Sequence, residues 1–452
     1  MVRSSLRRLL VTDKVGAAVI TLACVLTIGW IADARAQPVS ADTAALTQQA
    51  LERGLGFFET LRVRGGWPMA YSEDLKRRWG EHAECEENSI TVQPPATPTV
   101  GSVYLRAALL LANSEYLTVA RQAAGALVTG QLDNGGWWHE IRFDRNGAAV
   151  GLSHRATMDD NTTQGATMFV MEMAGATGAS RYEHAARAAL AFLLESQYPA
   201  GGWPQQHPVS RGYSAFYTLN DGTTNDCIST LLAGYRQFHD IRYLEAAKRA
   251  GDWLIEAQLP PPHRGWAQQY DLQMRPAAAR WFEPAACCSA VTARVIRTLI
   301  ELYRETRNDR YLAPIPDAIA WLKSSQLADG TWARFYEIGT NKPIYVTANR
   351  KVVYEPTNLR PGYGWKGSYN VAELMHIYQI LTDTGRDALD EYLRREPDVE
   401  GLKRQARHWI DYQREDGSWP ADGRITCGTF VQATTALCDL LEHRRPPAHA
   451  LH

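Results

Sequence analysis

The feature that most constrains this chain is a turn that recurs six times: a helical stretch, a Gly-containing turn, then Trp. Trp67 closes RGGWP, Trp137 DNGGW, Trp203 AGGWP, Trp266 HRGWA, Trp332 ADGTW and Trp419 EDGSWP. The intervals between successive Trps are 70, 66, 63, 66 and 87 residues. That is too long for one helix and a turn, and suits two helices with their loops. Alanine-rich segments with apolar residues at helical spacing precede the turns, such as AARAALAFLLESQ and AAKRAGDWLIEAQ, and each stops at Gly. A second helix follows each turn: VGSVYLRAALLLA, NTTQGATMFVMEMA, TNDCISTLLAGYRQF, AVTARVIRTLIELYRE, YNVAELMHIYQILTD and GTFVQATTALCDLL. Helical hairpins at a fixed period bury their apolar faces on their neighbours. The expected fold is therefore all-α: an α/α toroid, its hairpins closing a barrel, with the Trp turns gathered at one mouth. Strand is expected mainly in a β-containing insert near 340–356.

Arg3, Arg7 and Arg8 precede a nearly unbroken apolar run from Val15 to Ala32, and Ala34-Arg35-Ala36 fits a small-x-small cleavage site. Residues 1–36 are thus expected to be a cleaved export signal, with a retained membrane anchor as the alternative. Residues 37–445 form the toroid and 446–452 a tail. The location is then periplasmic or secreted, with no membrane contact beyond the signal. Nothing in the composition splits the remainder into two domains, and a monomer is expected. A formal net charge of −1 argues against nucleic acid as a partner. Cys85, Cys227, Cys287, Cys288, Cys427 and Cys438 show no paired C-x-x-C spacing for zinc. Four of them, Cys227, Cys287, Cys288 and Cys438, fall in predicted helices, where buried free thiols are expected. The 14 Trp and 20 Tyr suit the apolar faces of sugar rings, although a turn Trp serves equally as a plug of its own repeat.

The loops that open the second helices carry unusual acid and amide clusters. MDDNTTQGAT holds Asp159, Asp160 and Asn161; TLNDGTTND holds Asn220, Asp221, Asn225 and Asp226; RWFEPAACC holds Arg280 and Glu283. Helix capping explains one Asp or Thr at each place, but not two acids with amides in successive repeats. Gathered at one mouth they make an oxygen-ligand site for a hard cation such as Ca²⁺. The longest Trp interval contains an irregular insert, EIGTNKPIYVTANRKVVYEPTNLRPGYGWKGSYN, with Arg350 between two short β-like runs and Tyr363, Trp365 and Lys366 beyond. A long insert in a regular array is commonly a functional loop.

GGWPQQHP with YTLND, GWAQQYDL followed by ARWFEPAA, and ANRKVVYE followed by GYGWKGSY resemble, in order, the family-ten pectate lyases over roughly residues 50–435. The resemblance implies a toroid, though one usually described with fewer helix pairs than six Trp turns give. It implies cleavage of polygalacturonate, or a related acidic polysaccharide, by β-elimination to 4,5-unsaturated products. Ca²⁺ would neutralise the uronate carboxylate, with Asp221, Asp226 and Asp160 as ligands, while a base removes the proton alpha to it. The base so implied is Arg350, against the difficulty that an Arg is effectively always protonated; a carboxylate-binding Arg is the alternative. Substrate contacts are expected from Trp203, Arg280, Glu283, Trp365, Lys366 and Arg424. Two departures stand out: NDGTTND replaces a compact Asn-Asp-Asp run, and Lys351 follows Arg350 where the family often has Asp. Two other readings fit an α/α array. One is a class II terpene cyclase, suggested by SQLADGTW and YQREDGSW but lacking an Asp-x-Asp-Asp run; the other is a sugar-binding toroid without chemistry.

Overall fold

The computed structural model describes residues 40–81, 83–395 and 398–443. The expected export signal and tail lie outside these residues. None of the described helices is long and apolar enough to cross a membrane.

Thirteen helices are present among the described residues: α1 (Ala41–Thr60), α2 (Thr97–Leu111), α3 (Ser114–Thr129), α4 (Thr162–Thr177), α5 (Ser180–Ser196), α6 (Thr223–Phe238), α7 (Ile241–Glu256), α8 (Ser289–Thr306), α9 (Ile315–Ser324), α10 (Val371–Thr384), α11 (Arg386–Arg394), α12 (Val399–Tyr412) and α13 (Cys427–His443). They form two layers. The helices that follow the Trp turns pack in succession, α13 on α2, α2 on α4, α4 on α6, α6 on α8 and α8 on α10, and the helices that precede the turns lie outside them. Burial separates the layers: α2, α4 and α8 each bury ten residues, where α1, α3 and α7 each bury seven.

The repeated turn owes its shape to three side chains. The Trp indole donates to a backbone carbonyl of the helix it follows, Trp67 to Phe58, Trp137 to Leu127, Trp203 to Leu193, Trp266 to Leu254, Trp332 to Leu322 and Trp419 to Trp409, all at 2.7–2.9 Å. Buried N–H groups need such partners, and this one fixes ring and helix end together. At four turns the Trp backbone N–H donates to a Thr hydroxyl at the start of the next helix: Thr97, Thr163, Thr224 and Thr292. A Gln then ties neighbouring repeats. Gln131 donates to Gly135 and Ala185 carbonyls, Gln197 to Gly201 and Ala246, Gln258 to Arg264 and Pro314, and Gln413 to Gly417 and Ala50. Glycine is required where these turns press on the next outer helix. Gly201 has φ +122°, and a Cβ there would run into the Arg249 carbonyl.

The Gln413 bridge to α1 closes the array, since it joins the last turn to the first helix. Phe430 of α13 stacks on Phe58 of α1 at 3.9 Å, and strand Arg424–Thr426 pairs with Ala70–Ser72. The toroid is nevertheless not a closed barrel. It has a seam, because α10 packs on α8 and α11 while neither α10 nor α11 makes a substantial contact with α12 or α13. At the preceding turn Gln326 donates to Gly330 alone, and Gly330 has nothing close to its Cβ position. The seam shows in burial: α10 and α12 bury three residues each and α11 one, although α10 itself is rich in apolar residues.

Strand is also more widespread than expected. The insert has its strands, Pro343–Val346 paired with Val352–Val353, but short pairs line the whole mouth, among them Ala156–Thr157 with Gln206–His207 and Tyr217–Thr218 with Gln269–Tyr270. Each joins the loop of one repeat to that of the next. Cys287–Cys288 form such a strand rather than helix, and all six described cysteines are free.

Candidate active site at the toroid mouth

Two successive repeats present the same strained loop. Asp160 (φ 48°, ψ 35°) and Asn161 (φ 58°) precede α4, and Asp221 (φ 45°, ψ 19°) and Gly222 (φ 84°) precede α6. Left-handed backbone at a non-Gly residue is unfavourable, and persists where surroundings enforce it, often at functional sites. The two loops touch, and the carboxylates of Asp159, Asp160 and Asp221 each offer an oxygen within 4.8 Å of the others.

Such a group is electrostatically strained. The Asp159 carboxyl is pushed up to about 7, first by burial and then by the Asp221 charge. Asp160 is pushed up to about 8 by burial and by its two acidic neighbours, and burial also raises Asp221. Guanidinium charge partly offsets this, Arg280 first, which lies 3.6 Å from Asp221, then Arg334 and Arg294. The main partner of Arg280 is Glu283, held at 2.6 Å, with the Arg280 backbone N–H donating to the same carboxylate. Burial alone would raise Glu283; the Arg280 hydrogen bonds and charge overturn that and keep it below its ordinary range. Glu283 accepts further from Tyr363, and Gln268 donates to Asn220, whose own amide donates to Asp221. One polar network thus fixes the acid loops against the insert.

The residues fit a hard cation. The donors are carboxylate oxygens from rigid loops, and Asp159 Oδ1 is buried without a hydrogen-bond partner. Asp221 and Asp160 are therefore brought together as expected, and Asp159, expected only as part of the acidic cluster, completes the trio. Asp226 is not part of it. Helix α6 starts at Thr223, so Asp226 lies in its first turn facing Arg294, and burial raises its carboxyl to about 6.

The expected substrate residues divide. Trp203 is fully buried as a repeat plug, so it has no face for a sugar. Trp365 is 6% exposed and donates to the Arg360 carbonyl within the packing of the insert, so it too is structural. Lys366 is held by Asp329 at 2.5 Å, and Arg424 is exposed on the strand that joins the chain ends. Arg350 is exposed with φ 61°, its guanidinium carbon 5.1 Å from the Trp281 ring centroid. That places it beside the residue after Arg280. Sequence reasoning missed Arg334, whose guanidinium packs 4.7 Å from the Tyr363 ring, acts on Asp221 and has a buried Nε without a partner. Its signal was only a cation between apolar strand residues, WARFY. A depression of about 610 Å³ lined by Arg62, Arg64 and Arg181 lies against the outer helix α3 and contains none of these acids.

Fold and site together give a helical-hairpin toroid with an acid trio and an anchored guanidinium at its mouth. The model of the pectic acid lyase family matches residues 131–331. Solved structures agree on the fold. The D189A mutant of a family 10 polysaccharide lyase from Cellvibrio cellulosa, in complex with trigalacturonic acid, is 23% identical, with a TM-score of 0.50 over 57% of this chain and 91% of that one. A family 76 glycoside hydrolase (mannosidase) from Bacteroides thetaiotaomicron is 14% identical, with a TM-score of 0.50 over 89% of this chain and 98% of that one. An ent-copalyl diphosphate synthase from a Streptomyces species is 32% identical over 117 residues, 26% of this chain; the match spans 19% of that synthase's length.

Proposed function

We propose that this protein is an exported lyase that cleaves polygalacturonate, or a closely related polyuronate, by β-elimination. The observation that carries the reading is the trio Asp159, Asp160 and Asp221 set beside Arg280, within the segment matched by the pectic acid lyase family. The trigalacturonic acid bound by the Cellvibrio protein supports an acidic polysaccharide as substrate.

The reaction removes the proton on the carbon alpha to a uronate carboxylate, expels the sugar oxygen on the adjacent carbon and leaves a 4,5 double bond. Negative charge spreads into the carboxylate as the proton leaves, so the site must supply positive charge there. Asp159, Asp160 and Asp221 would hold Ca²⁺, which when bound neutralises that carboxylate. Arg280, anchored by Glu283, and Arg334, packed on Tyr363, keep fixed positive charge at the same place. The network through Asn220 and Gln268 holds both in register with the acids. Arg350 has two available roles: the base that the family resemblance implies, or a clamp on a neighbouring carboxylate. The export expected from residues 1–36 would bring the enzyme to its polymer.

The test is absorbance in the unsaturated-uronate band on incubation with polygalacturonate, with calcium and with a chelator. Calcium-dependent product is expected. Binding without product in either condition would instead favour a sugar-binding toroid.

A further inference from the structure

The sheet that joins the chain ends carries cationic chemistry outside the family-matched segment. Strand Ala70–Ser72 pairs with Arg78–Trp79 on one side and Arg424–Thr426 on the other, with Ala70 opposite Trp79 and Ser72 opposite Arg424. Ala70 and Ser72 project to one face of the strand, so Trp79 and Arg424 meet on that face. The Arg424 guanidinium carbon lies 4.2 Å from the Trp79 ring centroid, and that of Arg77 lies 5.0 Å from it. Arg77 is engaged by Glu84 through hydrogen bonds of 2.9–3.2 Å. Arg424 differs: it is exposed and forms no salt bridge or side-chain hydrogen bond among the described residues. Stacking on an indole orients a guanidinium plane but leaves its N–H edge unused, and that edge matches a carboxylate in planar, bidentate fashion.

Its position bears on the mouth. Glu81, two residues past Trp79, is near enough for its charge to act on Asp159 and Asp160. Around the ring, the α13/α2 junction with this sheet comes first, then α4 and α6 with the acids, then α8, preceded by Arg280 and Trp281. An Arg on a Trp therefore stands on each flank of the acid trio, Arg424 on Trp79 and Arg350 on Trp281, and neither Arg has an acidic partner among the described residues. A linear polyanion long enough to extend past the trio on both sides would meet both.

We propose that Trp79 and Arg424 form a uronate-binding subsite on the chain-end flank of the mouth, taking the carboxylate of a sugar distant from the bond that is cut. This rests on the polyuronate reading above. The experiment compares wild type, Arg424→Gln, Arg424→Lys and Trp79→Leu on galacturonate oligomers of increasing length and on polygalacturonate, reading KM and kcat separately, with Tm as the control on folding. Above a threshold length, Arg424→Gln and Trp79→Leu should raise KM about tenfold, the worth of one carboxylate contact at a rim, with kcat held. Arg424→Lys should recover part of the loss. A wild-type KM for Arg424→Gln at every length, or a fall in kcat alone, overturns the subsite while leaving the lyase reading intact. Absence of product from wild type on every substrate overturns both.

Discussion

Cation binding at the acid trio should be steeply dependent on pH, and its size follows from the site. Asp159 and Asp160 titrate near about 7 and about 8 in the folded chain, yet both must be ionised to hold Ca²⁺. At pH 6 the solution is one unit below the first and two below the second. Each unit costs about 1.4 kcal/mol, so about three units make binding about 10³-fold weaker at pH 6 than at pH 9. The sign for stability is opposite to that of an ordinary salt-bridged acid. Unfolded Asp ionises near about 4, so between about 4 and 8 the folded chain holds more protons than the unfolded one. Stability without calcium should therefore fall as pH rises through that window, and calcium should restore it. Calorimetric titration with calcium alone, in two buffers of different ionisation heat, reads both quantities. Proton release should approach two per ion at pH 6 and fall away by pH 9. An affinity that stays flat from pH 6 to 9, with no proton release, would refute the argument that these acids share the ion.

Other outcomes follow from the same structure. Asp159→Asn should weaken calcium binding at least about tenfold, whereas Asp226→Asn, which alters a helix turn facing Arg294, should leave it within about twofold; equal effects would place Asp226 in the site. Arg350→Lys should abolish most turnover with binding nearly intact if Arg350 is the base, and raise KM chiefly if it is a clamp; steady-state kinetics on polygalacturonate separates the two. Trp203→Ala should cost about 3–5 kcal/mol of stability, since it empties a fully buried plug; a Tm near wild type would show that the turn does not depend on its indole. Hydrogen exchange should be faster in α10–α12 than in α4–α7, because the seam leaves the former with few buried contacts.

What the sequence revealed, it revealed through periodicity. The Gly-Trp turns marked every hairpin because the same physical task, ending a helix and plugging its end, recurs with the same residues. The second helices emerged close to their observed bounds for the same reason. The strands at the mouth were illegible, since two-residue pairs between loops leave no alternation to read. Within the site, Asp221 and Asp226 looked equivalent, and only the start of α6 between them decides that one joins Asp159 and Asp160 while the other faces Arg294. Trp203 and Trp365 could not be told from exposed aromatics by type alone, because burial depends on repeats that pack around them. Arg334 carried no motif, as its importance lies in a fold that sets it against Tyr363 and Asp221.

The junction of first and last repeats has a consequence for how the chain is made. Helix α1 turns Leu51, Leu55 and Phe58 inward, and Gly54 lies against Trp419 while Phe58 stacks on Phe430. Those partners are more than 350 residues downstream. During synthesis α1 can meet Trp67 and Tyr104 of the first hairpin early, but the face around Gly54 and Phe58 gains Trp419 and Phe430 only when the final segment arrives. Contacts of such long sequence separation slow folding and leave apolar surface open to wrong partners. Helix α1 thus reaches its full set of contacts only when the last repeat packs against it, so the junction is among the last parts of the fold to form.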